Sequence, residues 1–193
     1  MTDETKPSLG GVLDKVAEAG DDDSVSVGQI LDQFGDRSLA PVLLVPALLT
    51  ASPLSGIPGV PTVTGLIVAL IVVQMLMGRN TLWVPQVLAR QGVSKSKMEK
   101  AVSFLRKPVG WLDKLMKPRL TWLASRPWSY LALVICLIIA VTTPVMEFLP
   151  FAISIAAVAI GFFAAGILMR DGVMILIGYV VVGLTVYTVA QVT

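Results

Sequence analysis

With 193 residues, 55% of them hydrophobic and only 15% charged at a net charge of +2, the chain has too few polar groups to coat a soluble domain of its size. It has no histidine, which excludes histidine-based catalytic triads and histidine metal sites, and its single cysteine, Cys136, excludes thiolate clusters and an intramolecular disulfide. These limits point to an all-α integral membrane protein with no metal and no cofactor expected.

Residues 1–25 read as an acidic, flexible cytoplasmic arm that includes Asp21, Asp22 and Asp23. No continuous apolar core lies in residues 1–35, so insertion through internal helices is expected rather than through a cleaved leader. Residues 26–78 form the next unit. There Val27, Ile30, Leu31 and Phe34 fall at i, i+3, i+4 and i+7, which predicts a short amphipathic helix with Ser26 as N-cap and Gly35 as stop.

The apolar runs Leu39 to Ala51 and Thr62 to Met77 follow. At about 1.5 Å per residue neither comfortably crosses a hydrocarbon core of about 30 Å, so tilted or re-entrant helices are expected. The connection between them carries three prolines, two glycines and several hydroxyls. Pro58-Gly59 marks a turn, and Pro61 sits near the start of the second helix. One reading of this connection is a simple loop at the far surface; the other is irregular backbone held at membrane depth, a place to bind a headgroup, a sugar or an ion, which makes Ser55, Pro58, Gly59 and Thr62 candidate ligand residues. Gln74, near the end of the second run, joins them, with a helix-to-helix hydrogen bond as its structural alternative.

Residues 79–128 are basic: eleven lysines and arginines face only Glu99 and Asp113, which places the segment in the cytoplasm. Tryptophans and leucines are interleaved with the charges. This predicts amphipathic helices lying in the membrane interface, with Trp83, Lys117 and Arg119 contacting anionic lipid. The tether to flanking apolar runs and the lack of a recognition module argue against nucleic acid.

Residues 129–193 hold the second hairpin and a last transmembrane helix. Ser52-Pro53 to Arg79-Asn80 is echoed by Thr143-Pro144 to Arg170-Asp171 at one constant offset, which suggests a duplicated hairpin. Tyr130 to Val141 reads as short, whereas Phe148 to Met169 and Val173 to Val192 are about long enough to cross. Glu147 is a carboxylate near the bilayer and hence a candidate site residue; Arg79 and Arg170 are boundary groups that pair with Asp171 or with lipid phosphate. Gly161, Gly166, Gly178 and Gly183 are expected at close helix contacts. Counting crossings brings both hairpins in from the cytoplasmic face, a parallel rather than an inverted repeat.

The ordered set Ile30-Leu31 to Gly35-Asp36-Arg37, Ile57 to Thr62, Gln74 to Arg79 with Leu82-Trp83-Val84-Pro85, Lys117-Pro118-Arg119-Leu120 and Arg170-Asp171-Gly172 resembles the exopolysaccharide synthesis protein ExoD family. Lys117 stands where the family usually has arginine, and the turn from Pro144 to Pro150 is poorer in proline. The resemblance implies a multi-pass protein of the bacterial cytoplasmic membrane that supports exopolysaccharide production; it supplies no reaction. Two classes of function follow: non-enzymatic binding or transport of a lipid, lipid-linked saccharide or ion, and a structural scaffold, as a homo-oligomer or with polysaccharide synthesis proteins. An enzyme ranks below both, because Glu147 and Asp171 fall in different turns with no evident companion.

Overall fold

The computed structural model describes residues 8–19, 24–32, 39–79, 82–146 and 150–192. It is all-helical apart from one small ribbon, with nine α-helices among the described residues. The predicted positions Phe34, Gly35, Asp36, Arg37, Asn80 and Glu147 lie outside the described residues.

Helix α1 (Leu9–Glu18) falls inside the acidic arm, a feature that the sequence reading missed. Its face of Leu9, Val12, Leu13 and Val16 is buried, and Ser8 caps it by accepting from the Gly11 amide. Strand β1 (Ser24–Ser26) then pairs antiparallel with β2 (Gly92–Ser94). Helix α2 (Val27–Asp32) begins where expected. Ser26 Oγ accepts from the Gln29 amide at 3.2 Å while Gln29 Oε1 accepts from the Ser26 amide at 2.9 Å, a reciprocal capping box.

Helices α3 (Leu39–Ala51) and α4 (Val60–Leu76) are joined by a 3-10 turn at Pro53–Gly56 and a tight turn at Pro58-Gly59. In that tight turn the Val60 amide bonds to the Ile57 carbonyl and Gly59 has φ 87°, a type II geometry in which glycine avoids the Cβ clash. A buried Thr50–Thr64 hydroxyl pair at 2.7 Å ties α3 to α4. After the short α5 (Gln86–Ala89), α6 (Lys95–Leu115) is followed by α7 (Trp128–Met146), α8 (Pro150–Met169) and α9 (Gly172–Val192).

Helix α7 is longer than the sequence reading allowed. The run does not stop at Thr142-Thr143-Pro144 but continues to Met146, and both threonine hydroxyls are accommodated by bonding back to carbonyls of Ile138 and Ile139. Trp128–Val145, with mean hydropathy 2.1, is the one stretch among the described residues that is long and apolar enough to cross a membrane. The stretches Leu39–Ala51, Val60–Leu76, Ile153–Met169 and Gly172–Tyr187 are apolar but shorter. The two hydroxyl-proline steps therefore differ: Ser52-Pro53 follows the end of its helix, whereas Thr143-Pro144 lies within one.

Helix α3 packs against α4 and α8, α4 against α7, and α8 against α9. The α3–α4 connection meets the first turns of α8, where Ser55 Oγ lies 3.5 Å from Ser154 Oγ. A Cβ placed on Gly65, early in α4, would sit 2.9 Å from Thr143 Cβ, late in α7. Pro144 has no amide to offer the Ala140 carbonyl, and Gly65 lets α4 approach that carbonyl closely. Gly166 and Gly178 mark close α8–α9 contacts as expected, the latter against the Phe163 ring, but Gly161 and Gly183 face open space and do not.

Helix α6 has a partner within the protein. Its apolar face of Met98, Ala101, Val102, Leu105 and Val109 is buried, with α1 packed against it. Asp113 accepts from the Leu9 and Gly10 amides at 2.8 and 2.7 Å and so caps α1 from a distant element, and Arg106 pairs with Asp14 at 2.9 Å. The first turns of α6 lie near the Pro53–Gly56 connection, and the segment after its last turn reaches Asp171 at the end of α8. With 21 residues it is about 31 Å long, so it runs from one end of the bundle to the other.

Candidate functional site

The Ser52 to Val63 connection is internally bonded. Ser52 Oγ donates to the Leu49 carbonyl and accepts from Leu54; Ser55 Oγ donates to the Ser52 carbonyl; the Ile57, Val60 and Val63 amides bond to Leu54, Ile57 and Gly59 carbonyls. These bonds give several of the connection's amides and hydroxyls partners within its own turns. Pro58 and Gly59 instead form part of the rim of a half-open cleft of about 260 Å3. Val45 and Leu49 of α3 and Val63 and Ile67 of α4 wall it on one side, and Val27, Ile30, Gly92 and Met98 close it on the other. Among the described residues, those lining the cleft include no ionisable side chain, and Thr64 donates within the bundle to the Val60 and Pro61 carbonyls. The site can hold an apolar group but offers no acid, base or nucleophile.

The candidate ligand residues are not all brought together. Ser55 and Thr62 are half-buried beside the connection, whereas Gln74 lies fifteen residues beyond Gly59, about 22 Å along α4. Gln74 is buried and pairs with the backbone of one residue in both directions: Trp83 N–H donates to Oε1 at 2.7 Å and Nε2 donates to the Trp83 carbonyl at 2.9 Å. A loop, not the neighbouring helix that the sequence suggested, is the partner of the Gln74 amide. The Trp83 side chain stays 62% exposed.

A second assembly joins Lys117-Pro118-Arg119-Leu120 to Arg170-Asp171-Gly172. Asp171, only 1% exposed, accepts from the Lys117 amide with Oδ2 at 3.1 Å and from the Val173 amide with Oδ1 at 3.0 Å, so it caps α9 and holds the incoming loop. The Gly172 amide donates to the Arg119 carbonyl at 2.7 Å, and a Cβ on Gly172 would collide with Leu120. Backbone amides therefore hold the Asp171 carboxylate that was expected to pair with Arg79 or Arg170. The side chains of Lys117, Arg119 and Arg170 remain exposed around this contact.

Both α4 and α8 end in the same Schellman geometry. Arg79 N–H bonds to the Gln74 carbonyl with Gly78 at φ 72°, and Asp171 N–H bonds to the Gly166 carbonyl with Arg170 at φ 52°. This matches Gly78 with Arg170 and Arg79 with Asp171, one residue off the offset read from the sequence. Close by, at the start of α7, the Arg126 guanidinium lies 4.7 Å over the Tyr130 ring, Trp122 and Trp128 meet edge-on at 5.9 Å, and Tyr179 donates to the Trp128 carbonyl. Tryptophans among cations were expected at the interface from the sequence; their gathering with Tyr130 and Tyr179 is what that reading missed.

These features define an all-helical protein with an apolar cleft at one end of its bundle and a basic, aromatic cluster at the other. The chain belongs to the exopolysaccharide synthesis ExoD family, whose model matches residues 9–191, and that membership implies a role in exopolysaccharide synthesis. No curated protein and no solved structure matches it.

Proposed function

We propose that the protein is a multi-pass protein of the bacterial cytoplasmic membrane that supports exopolysaccharide synthesis or export without catalysis, by binding or moving a lipid or lipid-linked saccharide. The observation that carries this is an outward apolar band. Leu66 and Val73 of α4, Val134 and Val141 of α7, and Val180 and Leu184 of α9 are exposed, which suits hydrocarbon rather than water. The approach of Ser55 to the start of α8 and of Gly65 to the end of α7 supports a parallel repeat in which both hairpins enter from the same face. At the opposite end, Trp122, Trp128 and Tyr130 with Lys117, Arg119, Arg126 and Arg170 suit the cytoplasmic headgroup level, where Arg79 and Trp83 also belong.

The outer face of α6 supports a second reading, a scaffold or homo-oligomer. Phe104, Trp111 and Leu115 form an exposed stripe beside the row Lys100, Lys107 and Lys114. Charged groups alongside a membrane bundle must meet protein or water, so a partner covering this face fits as well as an aqueous vestibule.

Single cysteines in a Cys136→Ala background test the placement. A membrane-impermeant maleimide is expected to label Lys107→Cys in inside-out vesicles and to leave Val141→Cys unlabelled; labelling of Val141→Cys would refute a lipid-facing band. Complementation of a deletion strain then tests the role. The conformationally disfavoured Gly59→Val should lower exopolysaccharide yield at normal protein level, and an unchanged yield would count against a binding role for the connection.

A further inference from the structure

We infer that the cleft between α3, α4 and the β1–β2 ribbon receives a single hydrocarbon chain of a membrane amphiphile. The inference rests on the membrane placement proposed above and names the part of the ligand that this site takes. The lining is mostly aliphatic, with Gln91 as its one side-chain amide, and Thr64 and the Val60 and Val63 amides already bond within the protein, so a sugar would find few partners there. Apolar cavities also hold water poorly and accept apolar guests instead. At about 30 Å3 per water in the liquid, 260 Å3 corresponds to roughly nine waters or a similar number of methylenes, enough for part of one chain and too little for a helix.

The cleft is also continuous with the lipid-facing band. Val63 and Ile67 line the cleft, whereas Leu66 is 51% exposed on the adjoining face of the same helix, since residues three and four apart on a helix are neighbours. A chain can therefore slide from the bilayer across the Val63–Leu66 edge of α4 without passing through water. Pro58 and Gly59 lie at the rim, so the polar end of the amphiphile would emerge beside the connection, outside the aliphatic lining.

Two sources of such a chain are separable with photoactivatable probes in vesicles of phosphatidylethanolamine and phosphatidylglycerol holding the full-length protein. One probe is a phosphatidylglycerol with a diazirine in its acyl chain; the other is a polyisoprenyl phosphate with a diazirine in its tail. Crosslinks are expected on peptides carrying Leu49, Val63 or Met98, and whichever probe gives them at the lower concentration identifies the source. Val63→Trp should fill the cleft and lower that labelling at least about fivefold, while Val180→Trp, the same change on the exposed face of α9, should leave it unchanged. If Val63→Trp fails to fold by circular dichroism, Val63→Ala enlarges the cleft and is expected to raise cleft labelling. Crosslinks confined to the outer faces of α4, α7 and α9, or cleft labelling unmoved by the Val63 variant that folds, would overturn the inference. Normal exopolysaccharide yield from a Val63→Trp strain whose cleft labelling is lost would leave chain binding standing and remove its role in the proposed function.

Discussion

Replacing Asp171 with alanine removes one carboxylate that serves two elements at once. Oδ1 caps α9 through the Val173 amide and Oδ2 holds the Lys117 amide from a loop 54 residues earlier in the chain. Loss of an N-cap costs about 0.5–2 kcal/mol, and a backbone amide left unbonded near a buried position costs about 1–3 kcal/mol. The expected destabilisation is about 2–4 kcal/mol. Asp171→Asn keeps one acceptor oxygen and can serve only one amide, so it should fall between wild type and alanine, at about 1–2 kcal/mol. Reversible unfolding in mixed micelles, followed by circular dichroism, measures each value. The loop should also loosen, and trypsin should cut after Arg119 faster in Asp171→Ala than in wild type. Gly172→Ala pushes on Leu120 in the same contact, so the double variant should cost less than the sum of the two single changes. A loss under about 0.5 kcal/mol for Asp171→Ala, or full additivity with Gly172→Ala, would refute the two-sided role of the carboxylate.

Three further outcomes follow from the packing. Arg170→Gly relieves a left-handed residue at a helix C-terminus whose counterpart is already Gly78, and should stabilise by about 1 kcal/mol in the same unfolding assay. Gly65→Ala places a methyl against Thr143 and the Ala140 carbonyl and should cost about 1–3 kcal/mol, with spin labels on the outer faces of α4 and α7 reporting a wider separation. Gln74→Leu leaves both backbone groups of Trp83 without their partner. It should cost about 1–3 kcal/mol and raise amide hydrogen exchange at Trp83; unchanged exchange there would show that the side-chain amide does not hold the loop.

Local chemistry was legible from the residues alone. The helical, apolar class followed from composition, because so few charges cannot cover a soluble surface. Ser26 as N-cap, the Pro58-Gly59 turn and Pro61 near the start of α4 followed from rules that reach no further than five residues. The ordered motifs also identified the family that the match over residues 9–191 shows. Three-residue strands such as β1 and β2 carry no periodicity to read, and α1 was hidden by the acids that flank its apolar face.

What only the tertiary structure decided are the contacts that join segments far apart in sequence. Asp113 capping α1, Asp171 holding Lys117 and Gln74 holding Trp83 satisfy buried or partly buried polar groups, and a linear pattern cannot say which distant amide needs an acceptor. Nor can it say whether the apolar face of α6 meets lipid or another helix, since both remove the same surface from water. The cleft belongs to this second kind of information. Each aliphatic residue in its wall reads as ordinary core, and the space exists only because the ribbon and the first turns of α6 stand off from α3 and α4.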